Sequence, residues 1–175
     1  MISFRTNVGS LCLALLVVLP GCSYSLLSAA GNGDTPRVLS LLDQGMDVNT
    51  SSPIIHTHPL TLAAAGGHLE TVCALLDRGA QVAVTDLTGW TALHAAAYKG
   101  HREIVQLLVE RGTPVHRNNW MLPEPQVWAE KAGHTGVVAA LKDAEGNASP
   151  PTILGQARRE RIAIDHRPPP CPPPK

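Results

Sequence analysis

A Gly-His pair recurs at Gly67-His68, Gly100-His101 and Gly133-His134 with the same interval each time, and Gly33-Asp34 precedes the series one residue out of phase. A fixed period of roughly 33 residues is the mark of a repeat architecture. The second half of each period agrees. Leu41-Leu42 precedes Gly45, Leu75-Leu76 precedes Gly79, Leu107-Leu108 precedes Gly112, and Val137 to Leu141 closes the last unit. The unit is therefore helix, turn, helix, loop. One such pair cannot bury its apolar face alone, so at least three must stack, and irregular end units serve as caps. Aromatic residues make up only 3% of the 175-residue chain while 44% is hydrophobic, so the core is built from Ala, Leu and Val. Small side chains suit thin helices packed closely.

The third unit carries Asp86, Gly89, Thr91, Leu93, His94, Ala96, Ala97, Gly100, His101, Leu108 and Gly112, and the second carries Pro59, Leu60, Ala63, Ala64, Gly67, His68, Leu75, Leu76, Gly79 and Ala80. These residues resemble the ankyrin repeat, with its Thr-Pro-Leu-His opening, Ala-Ala helix, Gly-His turn and Leu-Leu helix. Ala92 stands where Pro is usual. The first unit, Leu26 to Asn49, lacks the opening motif and reads as a cap; the fourth, Asn119 to about Asp143, keeps Pro125, Ala129, Gly133 and His134. The resemblance implies an all-α ankyrin-repeat solenoid of about four helix-turn-helix repeats with short β-turn loops, over residues 22–145.

Local chemistry in the third unit points the same way. Thr91 can N-cap a helix running to Tyr98 or Lys99, and Gly100 can end it in a left-handed conformation. The following helix buries Ile104, Val105, Leu107 and Leu108 at helical spacing. Gly100 separates His94 from His101, so the two rings do not share one helix face. By the resemblance, His94 bonds within and between loops, while His68, His101 and His134 belong to the inter-helix turns; all four are framework. The second unit inverts the opening: His58 stands where Thr is expected and Thr61 where His is expected. A swapped pair can still form one hydroxyl–imidazole bond, which is the expectation here.

Chemistry beyond the framework is sparse. His56 and His58, two apart in an expected extended loop, face one side and could suit zinc or copper, but no third ligand is near in sequence. No metal site is assigned. The chain has no Gly-x-Ser-x-Gly, no His-Glu-x-x-His and no Walker-type glycine loop. It reads as a non-enzyme with no cofactor and no small-molecule substrate, metal binding or catalysis being the weaker alternative. The formal net charge of zero offers no overall attraction to nucleic acid.

The two ends differ from the middle. Arg5, the apolar run Leu11 to Leu19 and "LPGC" ending at Cys22 read as a targeting segment of residues 1–21. The run is shorter than the roughly 20 residues a spanning helix needs, and Pro20-Gly21 is expected to break a helix. "LPGC" resembles the bacterial lipoprotein box, although Pro20 replaces the usual small residue. The resemblance implies cleavage before Cys22, lipidation of its sulfur and a lipid anchor on the periplasmic side of the envelope, with Ser23 favouring the outer membrane. Cys12 then leaves with the leader. Cys73 reads as a small buried hydrophobe, and no disulfide framework is implied. Residues 146–175, ending "RPPPCPPPK", form a Pro-rich tail expected to be disordered, extended and solvated.

The expected partner is another protein in the envelope. Ankyrin-like stacks bind through loop tips and the exposed face of each first helix. On this chain those positions are Ile54, Ile55 and Thr57 in one tip, Leu87, Thr88 and Trp90 in the next, and Trp120 and Met121 in the last. Tyr98, Lys99 and Lys131 add the helix face. Apolar tips with Trp and Tyr anchors are what an interface uses. Within binding, a scaffold role and an immunity-type inhibitor of a toxin or enzyme are the two readings. Trp128 is expected to pack against its neighbours.

Overall fold

The computed structural model describes residues 20–115 and 122–147. Residues 1–19 of the expected leader, Trp120, Met121 and residues 148–175 of the Pro-rich tail fall outside these residues, as do the side chains of positions 20–24, Cys22 among them, and of 146–147. Eight helices and no strand occur among the described residues: α1 Pro20–Asn32, α2 Thr35–Asp43, α3 Pro59–Gly66, α4 Leu69–Asp77, α5 Ala92–Lys99, α6 Arg102–Glu110, α7 Pro125–Lys131 and α8 Thr135–Asn147. They form four antiparallel pairs. The first helices stack in one row, α1 on α3 on α5 on α7, and the second helices in another, α2 on α4 on α6 on α8. The all-α repeat solenoid expected from the period is the observed fold.

The core lies between the rows and is built as the composition requires. Leu26, Val38, Leu60, Val72, Leu75, Leu93, Val105, Leu108, Val137 and Leu141 are all but inaccessible, with Ala63, Ala64, Ala96 and Ala129 letting the inner helices approach. Burial of this kind is the main stabilising term for helices too short to persist alone. The fourth pair completes a continuous stack, which the recurring Gly133-His134 signals in the sequence.

The turn histidines tie each unit to the one before. His68 Nε2 lies 3.0 Å from the Gly31 carbonyl, His101 Nε2 3.2 Å from that of Ala65, and His134 Nε2 3.1 Å from that of Tyr98. A ring N–H here satisfies a carbonyl near the end of a helix, which has no partner within that helix. Close seating demands glycine. Gly67 and Gly100 adopt φ of 77° and 80°, and a Cβ on either would lie 2.6 Å or 2.7 Å from the next histidine ring. Each thus serves twice, as a left-handed cap and as the seat of the following ring.

The two central units open differently. In the third, Thr91 Oγ1 accepts from the His94 N–H at 3.3 Å and lies 2.7 Å from His94 Nδ1, while the Thr91 N–H donates to that ring nitrogen at 3.3 Å. This is a capping box with histidine in place of glutamate. In the second, His58 occupies the cap position without a side-chain cap bond, and its Nδ1 is buried with no partner. The expected His58–Thr61 bond does not form. Thr61 is buried on α3, but exchanging the two residues changes which side chain starts at the cap and which reaches back one turn.

Two other expectations are corrected. The break expected at Pro20-Gly21 concerns the apolar run Leu11 to Leu19, which lies outside the described residues; α1 is described from Pro20 onward. The loop holding His56 is a turn rather than an extended strand, since His56 has φ of 55° and its N–H donates to the Ser52 carbonyl at 3.0 Å. Cys73 is buried in the core as expected, 5% exposed, but it is disulfide-bonded, where no disulfide was expected.

Candidate functional site

The loop tips are built by their own hydrogen bonds. The Ser52 N–H donates to the Thr57 carbonyl at 2.9 Å, closing a turn that carries Ile54 and Ile55 at its apex. Asp86 organises the next tip: its Oδ1 accepts from the Thr88 N–H at 2.8 Å, the Thr88 hydroxyl at 2.6 Å and the Trp90 N–H at 2.9 Å. A carboxylate that satisfies three donors fixes a turn with no help from strands. The tips are joined by the Leu87 N–H, which donates to the Ile55 carbonyl at 3.3 Å.

This framework holds apolar side chains in solvent. Ile54 is 72% exposed, Ile55 55%, Leu87 70% and Tyr98 44%. These are the exposed large hydrophobics among the described residues, and all four are positions the sequence singles out as partner-binding. Neighbouring apolar residues fixed outward by paired turns are a feature of interaction surfaces, whereas scattered ones are ordinary.

Trp90, at the end of the second tip, leads onto the inner-helix face. Its ring centroid lies 5.1 Å from that of Trp128, 6.2 Å from Tyr98 and 5.5 Å from His94, and Tyr98 stands 6.0 Å from Trp128. The Trp–Trp and Trp–Tyr contacts are edge-on, the geometry that opposes a positive ring edge to a negative face. Lys99 Nζ lies 5.6 Å from the Tyr98 ring centre and Lys131 Nζ 5.1 Å from that of Trp128. Both ammonium groups belong to exposed side chains, so they frame the aromatic group with positive charge at its solvent edge. Trp128 Nε1 is buried without a hydrogen-bond partner.

Two expected contact residues have other work. Thr57 is 7% exposed; its carbonyl closes the turn, and the side chain lies under the tip rather than on it. Thr88 is exposed, yet its hydroxyl is committed to Asp86. Trp120 and Met121 lie outside the described residues, as does the side chain of Cys22. Trp128 is the addition. The sequence marks it for packing, which it does, but it packs as a wall of the aromatic group. Its counterpart one period earlier is Ala95, so the repeat itself does not call for a ring at this position.

The histidine pair offers less. His58 has its pKa lowered, first by burial and then by the like charge of His56, against the opposing pull of Asp86 and Asp47. Among the described residues no three His, Cys, Asp or Glu side chains gather into a metal-binding group. No helix among them is long and apolar enough to cross a membrane.

Comparison with known proteins fits this architecture. The family pattern for ankyrin repeats matches residues 26–119 in three copies. A probable E3 ubiquitin-protein ligase of Oryza sativa subsp. japonica is 36% identical over 126 residues, 70% of this chain and 24% of that protein. A Notch-regulated ankyrin repeat-containing protein of Xenopus laevis is 37% identical over 97 residues, 53% of this chain and 84% of that protein. The chain thus spans about a quarter of the rice ligase.

Proposed function

Because the chain belongs to the ankyrin-repeat family, we propose that it binds another protein, without catalysis, through the joined tips and the aromatic face of α5 and α7. The observation that carries this reading is the run of fixed apolar side chains from Ile54, Ile55 and Leu87 to Trp90, Tyr98 and Trp128. Rigid side chains of this kind bury large area at small entropy cost, and the flanking lysines favour a partner segment with acidic residues. The ligase name belongs to a protein of which this chain covers 24%.

The same proposal places the protein in the bacterial envelope, anchored by a lipid on Cys22. "LPGC" and the short apolar run support this reading.

A photo-crosslinking residue placed at Leu87 in the full chain tests the interface, with the same residue at exposed Gln106 on the opposite side as the control. A discrete protein adduct at Leu87 and none at Gln106 is expected; equal labelling at both sites overturns the assignment. The anchor is read separately, from the mass of the N-terminal peptide of membrane-extracted protein. An acylated Cys22 is expected, and a retained Met1 removes the envelope reading without touching the binding face.

A further inference from the structure

His56 and His58 belong neither to the repeat framework nor to the exposed apolar group, yet they sit where the two tips are joined. His58 holds the cap position of α3 and directly follows Thr57, whose carbonyl accepts from the Ser52 N–H at 2.9 Å to close the first tip. Ile55 carries the link to the second tip, its carbonyl accepting from the Leu87 N–H at 3.3 Å. Between them His56 holds φ of 55°, a backbone region that residues with a Cβ seldom occupy.

Hydrogen bonding sets His58 apart from the other histidines of the stack. His68, His101 and His134 each place a ring nitrogen against a carbonyl, and His94 closes a capping box. His58 Nδ1 is buried with no partner. The neutral ring tolerates this site by keeping its proton on Nε2, so that no donor is buried unpaired. The charged ring carries a proton on both nitrogens and has no such choice. Asp47 from the loop after α2, His56 from its own tip and Asp86 from the second tip act on it. The two carboxylates attract the charge, but burial and the like charge of His56 outweigh them. Asp86 is also engaged within its own tip, where Oδ1 accepts from the Thr88 N–H, the Thr88 hydroxyl and the Trp90 N–H.

A conformation that brings the ring into water therefore takes up the proton more readily, and acid raises its population. The contacts on either side of His58 decide which part of the chain yields. Towards α3 the chain is fixed: the His58 carbonyl accepts from the Leu62 N–H at 3.1 Å, and Pro59 and Leu60 are buried. Towards the tip, residues 52–57 are held by the Ser52–Thr57 closure, the His56–Ser52 bond and the link from Leu87, and Ile54, Ile55 and His56 are exposed. The tip moves and the helix stays.

We propose that the joined tips form a proton-sensitive latch: protonation of His58 opens the Ser52–Thr57 turn, parts it from Leu87 and loosens the protein's grip on its partner. The loosened grip rests on the binding reading above, whereas the opening of the tip does not. Opening increases by at most about tenfold for each pH unit below the ordinary imidazole value, and affinity falls by no more than the same factor.

Amide exchange in the free, full-length chain tests the latch. The Ser52, His56 and Leu87 N–H groups are followed by NMR at pH 7.5 and pH 5.5, each rate taken relative to that of an unfolded chain at the same pH. Their protection is expected to fall by up to about tenfold in the parent and to stay level in His58→Ala. The Val72 and Val105 N–H groups, which donate to the carbonyls of His68 and His101 in the stack, should keep theirs in both. Unchanged protection of the tip in the parent overturns the proposal, as does an equal fall in either uncharged variant, His58→Ala or His58→Gln. The photo-crosslink at Leu87, repeated at both pH values, reads the grip: the adduct should weaken in acid in the parent and persist in His58→Ala. An adduct equally strong at both pH values in the parent overturns the loosening. An adduct absent at both counts against the binding reading, and the exchange rates then decide the latch alone.

Discussion

The second and third units begin with the same residue types in opposite order and reach different ends. Thr91 and His94 form a closed capping box, His94 being 3% exposed. His58 and Thr61 do not, and a buried imidazole nitrogen is left without a partner. Both helices nonetheless start at the same repeat position and stack alike. Stacking therefore fixes where a helix begins, while the cap adds stability at that point. Propensity and caps are modest terms beside the burial of Leu60 and Leu93.

The largest test of this contrast is removal of each histidine. His94→Ala deletes a buried ring and the back-bond to the Thr91 N–H, and is expected to cost about 3 kcal/mol in urea unfolding. His58→Ala removes a ring with an unsatisfied nitrogen and is expected to stay within about 0.5 kcal/mol of the parent. Equal losses would show that His58 carries a bond the structure does not contain.

Restoring the order is the next test. The double variant His58→Thr, Thr61→His is expected to gain about 1 kcal/mol by completing a second capping box. Thr91→His with His94→Thr should lose a comparable amount or more. A double-mutant cycle at 58 and 61 that is additive in the swapped background would deny that the new pair interacts.

The contrast extends to the helix ends. Arg78 pairs with Asp43 at 2.6 Å and Arg111 with Asp77 at 3.2 Å, one unit further on, but the arginine side chains are 39% and 6% exposed respectively. Arg78→Ala is expected to cost about 0.5 kcal/mol or less, because an exposed pair gains little in high dielectric. Arg111→Ala should cost about 1–2 kcal/mol, since it also loses packing along the buried stem. Indistinguishable urea midpoints for the two variants would remove the difference.

These particulars show what the sequence could display. The helix pairs, the glycine seats and the framework role of His68, His94, His101 and His134 were legible because a period repeats each signal several times. Ile54, Ile55, Leu87 and Tyr98 were legible as exposed because they sit at positions where the repeat pattern imposes nothing. Thr57 was not: a threonine on a tip can face either way, and the turn bond from Ser52 decides. The role of Trp128 was hidden because it lies more than a full period beyond Trp90 in the chain, and only stacking brings α7 beside α5. The bond at Cys73 was hidden for a related reason, since a single cysteine in a helical pattern looks the same whether covered or bare.

The smallest expected effect is the dependence on pH, and it again separates the two openings. Burial and the neighbouring His56 hold the His58 imidazole below its ordinary pKa of 6.5, outweighing Asp86 and Asp47. The unfolded chain therefore takes up this proton at a higher pH than the folded one. The stability associated with neutral His58 is complete above the ordinary value and is lost as pH falls from there to the lowered folded value. Below that it changes no further. His58→Thr removes the site, so the urea midpoint of this variant should fall less than that of the parent between pH 8 and pH 5. Titrating groups remote from His58 act on both proteins and cancel in the difference. Parallel profiles would mean that His58 is as well solvated in the folded chain as in the unfolded one, and its lack of a partner would then carry no energetic weight.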